Sequence, residues 1–240
     1  ATLLGVNGTT PTYNATGGVN IASGAAVTIG TGSNIVTGAG MTQSTADVFT
    51  LTTALAGGGG GSSVAFTGLG RTVLNGASGY TGSININSGV VQLGNATALN
   101  ANAVTVAGGA GLGVNGVTVN NAISLNNGAA LGAQGGTATY GGVITLSGGT
   151  AYIVAGDVNA PGTARTVTFN NIITGPGSVA FGGAQATGGT VNLTAAGNNY
   201  GGSTTLMAGT LNLSGLGTLT GTSGITLNPG SNLQLTNVDS

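Results

Sequence analysis

Along this chain, short runs alternate apolar and polar residues and then stop at glycine. The spelling apolar, polar, apolar, two residues, Gly occurs at Val19-Asn20-Ile21 with Gly24, Ile84-Asn85-Ile86 with Gly89, and Val104-Thr105-Val106 with Gly109. It returns at Ile123-Ser124-Leu125 with Gly128, Ile144-Thr145-Leu146 with Gly149 and Ile225-Thr226-Leu227 with Gly230, and more weakly at Thr204-Thr205-Leu206 with Gly209. From Gly89 onward these glycines stand 20, 19, 21, 60 and 21 residues apart, and the gap of 60 holds looser strands around 167–169, 179–181 and 191–193. The period is about 20 residues, the mark of a repeat architecture.

Alternation turns one side of a strand inward and the other to water. Each run is three to five residues long and ends at Gly, Asn or Ser, which tolerate the backbone of tight corners. No segment keeps a 3.6-residue period, so the pattern predicts an all-β chain. A 20-residue coil cannot bury its own apolar side, whereas coils stacked about 4.8 Å apart share a continuous core. The fold predicted is a right-handed parallel β-helix, a β-solenoid of about nine or ten coils from residue 62 onward, roughly 45 Å long. One outward column is expected through Asn85, Thr105, Ser124, Thr145, Thr168, Asn192, Thr205 and Thr226.

A longer repeat lies over the short one. Tyr80, Gly82, Gly89, Val91 and Leu93 recur 120 residues later as Tyr200, Gly202, Gly209, Leu211 and Leu213. With one residue inserted, Val104, Val106, Gly109, Leu112 and Val114 recur as Ile225, Leu227, Gly230, Leu233 and Leu235.

Three segments break the beat. Gly57 to Gly61, followed by Ser62-Ser63, reads as a flexible linker (57–63). It divides an N-terminal part, 1–56, from the main solenoid, 64–240. Within the first part, the run from Val48 to Leu55 reads as a strand that closes the N-terminal end as a cap in its own subunit, pairs along the side, or is donated to a partner. Residues 155–165, with Pro161, read as a loop protruding between coils.

Composition narrows the function. Of 240 residues, 51 are Gly, two are Lys or Arg and three are Asp or Glu, yet 40% are hydrophobic, so the chain has apolar surface to bury and should fold. Two isolated Arg cannot neutralise a phosphate backbone, which sets nucleic acid aside as a partner. No basic helical face and no long apolar run points to membrane insertion. With no His, Cys or Lys, no Ser-His-Asp, Cys-His or Ser-Lys arrangement can be assembled. Asp47, Asp157 and Asp239 are far apart, so paired-carboxylate chemistry is not expected either. No enzyme activity, metal or cofactor is expected. Asp157 and Arg165 read as two unrelated solvated charges, with a salt bridge within the loop as the alternative. Five Asn-x-Ser/Thr sequons, at Asn7, Asn14, Asn95, Asn192 and Asn212, are about what this composition gives. The scarcity of charge in a stacked array follows from the repulsion of like charges placed opposite each other. The chain reads as a secreted, extracellular product from which an export signal has been removed.

Gly68-Leu69-Gly70, Leu74-Asn75-Gly76, Tyr80-Thr81-Gly82, Ser88-Gly89-Val90-Val91-Gln92-Leu93-Gly94, Ala98-Leu99 and Val104-Thr105-Val106 resemble the autotransporter-associated β-strand repeat (68–114). A second copy (175–235) is similar in Gly175-Pro176-Gly177, Asn199-Tyr200-Gly201-Gly202 and Ala208-Gly209-Thr210-Leu211-Asn212-Leu213, departing where Gly201 replaces Thr and where Ala-Leu is missing. The resemblance implies a β-helical scaffold of a bacterial surface protein and no activity of its own.

The function expected is a structural extracellular subunit that joins head to tail with itself through its solenoid ends. Val19, Ile21, Val27, Ile29, Val48, Phe49 and Leu51 are the candidate contact residues at one end, and Ile225, Leu227, Leu233 and Leu235 those at the other. The alternatives are a passenger stalk of an adhesin and, through the outward threonines, a binder of ice or of a polysaccharide surface.

Overall fold

The computed structural model describes residues 48–158, 160–182 and 188–237, together with the strands Thr2–Leu4, Thr12–Tyr13, Val19–Ile21 and Ala26–Gly30. Within them the chain is all β, a solenoid of about nine turns at roughly 21 residues each. Its parallel strands stack into three sheets. The first runs through Ile84, Val104, Ile123, Ile144 and Ile173, which lie in one register. The second runs through Val91, Leu112, Leu131, Ile153, Phe181, Leu206 and Leu227. The third begins at Thr118–Val119 and continues through Tyr140, Phe169, Leu193, Leu213 and Leu235.

These columns are the core. The flanking residues of the internal apolar–polar–apolar triplets are buried, as at Val104, Val106, Ile123 and Leu125, while the middle residue faces out. The corner glycine that follows a triplet is left-handed, with φ 67° at Gly89, 78° at Gly109 and 82° at Gly128, a conformation that any side chain would oppose. Buried asparagines satisfy the corner backbone. Asn121 donates to the carbonyls of Asn100 and Asn102, and Asn198 donates to those of Ala195 and Thr218 while accepting from the Ile173 amide. Unmet buried carbonyls would otherwise carry a desolvation cost.

Several expectations are corrected. The glycine run is not a linker but part of the strand Leu55–Thr67. Its first residues pair with Val19–Ile21 and its last with Ala26–Gly30 and Ser83–Ile86, with a register break between Gly58 and Ser63. The run carries the backbone around a corner against Tyr80, whose ring edge lies where a Cβ on Gly58 would stand. The described strands of residues 1–56 enter the same sheets as the rest of the solenoid. Of the alternatives for the strand Val48–Leu51, it pairs along the side, as an internal rung between Thr12–Tyr13 and Arg71–Leu74, and does not cap the stack.

The single outward column also separates into three. Asn85, Thr105, Ser124 and Thr145 continue to Thr174 on the first sheet; Thr168 and Asn192 belong to the third, and Thr205 and Thr226 to the second. The cause is a long coil: Ile144 pairs with Ile173, 29 residues on, where Ile123 had paired with Ile144 after 21. After that coil the same sequence motif arrives one face later. Ile84-Asn85-Ile86 lies on the first sheet and Ile225-Thr226-Leu227 on the second; Val91 and Leu93 lie on the second and their counterparts Leu211 and Leu213 on the third.

Candidate functional site

The extra length of the long coil is a hairpin, Thr150–Asp157 antiparallel to Ala160–Ala164, rather than an irregular loop. It folds back over the outside of the second sheet. There the outward column Val73, Gln92, Gly113, Gly132, Val154 is buried despite facing away from the core. Val158 fills the space that a Cβ on Gly111 would need, and its Cγ2 stands 3.0 Å from where Gly132 would carry one. Asp157 and Arg165 are paired, not independent. Nε and Nη2 of Arg165 donate to the two carboxylate oxygens at 3.0 and 3.4 Å, and the Gly135 amide donates to Oδ1 at 2.8 Å. The carboxylate ties the hairpin to the preceding coil and is committed to that structural task.

Three tyrosines are buried inside the stack. The Tyr140 hydroxyl donates to the carbonyl of Gly132 (2.7 Å) or Leu112 (3.0 Å) and accepts from the Gly132 amide (3.3 Å). Its ring stacks on Phe169 with centroids 5.1 Å apart. Burial pushes its pKa far up, raises that of Tyr80, and takes Tyr200 to about 12 despite the Tyr200 hydroxyl's 2.6 Å bond with Thr204 Oγ1. Such phenols stay protonated and serve as structural hydrogen-bonding groups.

No group of three or more His, Cys, Asp or Glu able to hold a metal ion occurs among the described residues. No helix among them is long and apolar enough to cross a membrane. Asp47 and Asp239 lie outside the described residues.

The notable chemistry is at the ends of the stack. Thr204 and Leu206 are buried under the next rung, and so are Leu211 and Leu213. Their successors in register are Ile225 and Leu227 on the second sheet and Leu233 and Leu235 on the third. Leu233 is half-buried against the core, whereas Ile225, Leu227 and Leu235 are 46%, 49% and 68% exposed. These are core columns that run out without a lid among the described residues. The strands Ile225–Leu227 and Asn232–Asn237 also pair on one side only, leaving a parallel edge open. At the other end Thr2–Leu4 and Thr12–Tyr13 terminate the first and second sheets, and Val19–Ile21 pairs only with Leu55–Gly57.

Of the contact residues expected at the N-terminal end, Val19 and Ile21 sit on such a strand, whereas Val27 and Ile29 sit on Ala26–Gly30, an internal rung between Thr2–Leu4 and Leu55–Thr67, and the side chains of all four lie outside the described residues. Phe49 and Leu51 are buried in the internal rung, and Val48 shares it, so these three do not form the end surface. The third sheet was not separable from sequence and carries a second notable surface. Thr166, Thr190, Thr210 and Asn232 follow one another in one outward column, and Thr118, Thr139, Thr168, Asn192, Asn212 and Gln234 in the next. No family model, curated protein or solved structure matches the chain.

Proposed function

We propose that the chain is a structural, extracellular subunit that stacks head to tail through its solenoid ends. The observation that carries this reading is the open last coil, where the core columns of two sheets end in exposed Ile225, Leu227 and Leu235 beside unpaired strand edges. Covering those three half-exposed side chains favours association by about 1 kcal/mol each, and a rung of new parallel bonds gives the contact its direction. The first coil of a second copy is the complementary occupant, because Thr2–Leu4 and Thr12–Tyr13 likewise end their sheets with one parallel edge unpaired. Such a contact joins unlike ends and therefore propagates as an open fibre. The near-absence of charge removes the usual guard on strand edges, as Lys or inward charges would supply.

Negative-stain electron microscopy at several concentrations in plain buffer tests this. Filaments that disappear in Leu227→Lys/Leu235→Lys, with that variant still melting cooperatively, are the expected result. Isolated rods of one length at every concentration overturn it. They would favour a second reading, in which the open end is continued by further coils of a passenger stalk, as the Tyr80-Thr81-Gly82 repeat resemblance implies.

A further inference from the structure

From the third sheet we infer a second site, distinct from the ends: a flat docking face for the surface of a crystalline, neutral polysaccharide. Three successive strands of this sheet, Thr166–Phe169, Thr190–Leu193 and Thr210–Gly215, are longer than the triplets of the first sheet and each present at least two outward residues. Thr166, Thr190 and Thr210 stand in register, and so do Thr168, Asn192 and Asn212. The result is a grid of hydroxyls and amides spaced about 4.8 Å between coils and about 6.7 Å along each strand.

The second column is fixed in place by its own hydrogen bonds. Asn192 Nδ2 donates to Thr168 Oγ1 at 3.3 Å, Asn212 Nδ2 donates to Asn192 Oδ1 at 3.1 Å, and Thr236 Oγ1 donates to Asn212 Oδ1 at 2.8 Å. Each Nδ2 has a second N–H that this ladder does not use. The face thus offers pre-oriented donors beside threonine hydroxyls, which suits sugar hydroxyls that both give and accept. Neither column contains a charged residue, so the complementary partner is neutral. A groove of about 430 Å³ along the margin is lined by Thr137, Thr166, Thr190 and Arg165, the last already held by Asp157.

The choice of a solid over a soluble sugar rests on two features. No aromatic side chain lies in either column to stack on a single sugar ring. A repeating grid rewards a repeating partner, because once one contact forms the others follow at high effective concentration. Ice is disfavoured as occupant because Asn192, Asn212 and Gln234 replace threonine in the column, and Asn212 and Asn192 spend part of their hydrogen-bonding capacity on each other.

The test is adsorption of the full chain to washed microcrystalline cellulose, chitin and mannan, read as depletion from solution. Binding to at least one solid is expected, with about a tenfold weaker isotherm for Thr168→Val/Thr190→Val, the equivalent of two neutral hydrogen bonds. Thr105→Val/Thr145→Val, on the first sheet, is the control and should adsorb like the parent. All variants keep β-branched residues on the surface, so their melting curves should coincide. No adsorption by the parent to any of the three solids, or equal loss in the control, overturns the proposal. Thermal hysteresis in the parent that the third-sheet variant abolishes would also overturn it, in favour of ice.

Discussion

Raising the pH should unfold this protein through its tyrosines. Tyr80, Tyr140 and Tyr200 are buried, and burial raises all three pKa values above the ordinary 10.0. A phenol whose folded pKa is raised gives stability that is intact below the unfolded value and is lost as the pH rises past 10 toward the folded one. At pH 11 an unfolded tyrosine has ionised, while Tyr200, at about 12, and Tyr140, higher still, remain neutral in the fold. Each then favours the unfolded state by about 1.4 kcal/mol, one pH unit's worth. The pair removes close to 3 kcal/mol, a large share of a typical 5–15 kcal/mol, and Tyr80 acts in the same direction. Between about pH 6 and 9 the curve should be flat, because the sequence contains no His, Cys or Lys to titrate. Urea unfolding at half-unit steps from pH 6 to 11.5, alongside tyrosinate absorbance of the folded chain, measures both. Tyr140→Phe should lose about 1–3 kcal/mol at pH 8 with its hydroxyl bonds and show a shallower alkaline decline. Equal stability at pH 9 and 11, or all five tyrosines ionising near 10 while the chain is still folded, would refute the reasoning.

Trypsin has only two sites in this chain, Arg71 and Arg165. Asp157→Asn, which removes the charged partner of Arg165, should speed cleavage after Arg165 several-fold in a timed digest and leave cleavage after Arg71 as the internal reference. Gly142→Ala should cost about 2 kcal/mol in urea unfolding, since its Cβ would fall on the Asn121 carbonyl in the neighbouring coil. Leu112→Ala, in the middle of the second sheet's buried column, should cost about 2–5 kcal/mol and lower the melting temperature without changing the β-sheet circular dichroism of the folded state.

The solenoid itself was legible because its cause is local. Triplets such as Val104-Thr105-Val106 spell a strand with one buried side, and the glycine three residues on supplies the left-handed corner. Which face a triplet occupies was not legible, because Ile144-Thr145-Leu146 and Ile225-Thr226-Leu227 are equivalent strings that fill different sheets. Their placement depends on the summed length of everything between them, including a hairpin whose seat, Gly111, Gly113 and Gly132, is assembled from two coils. The glycine run misled for a related reason. Flexible in an unfolded chain, it is held here by strands on both sides. The exposed end at Ile225, Leu227 and Leu235 was readable, since the pattern continues to it unchanged. The third-sheet grid was not, because its columns join residues 20 to 29 positions apart at unequal intervals.

The displacement of the second repeat by one face bears on how such a chain can lengthen. Val104 and Ile225 hold the same place in the long repeat yet contribute to different walls, and both walls accept them. Copying a stretch of gene therefore need not add a whole number of turns. A duplication that lands a third of a revolution out of phase still delivers apolar columns to the axis, provided a corner can absorb the remainder, as the hairpin does here. Recombination in this architecture is tolerant of angle, and selection is left to act on which chemistry each wall shows to the outside.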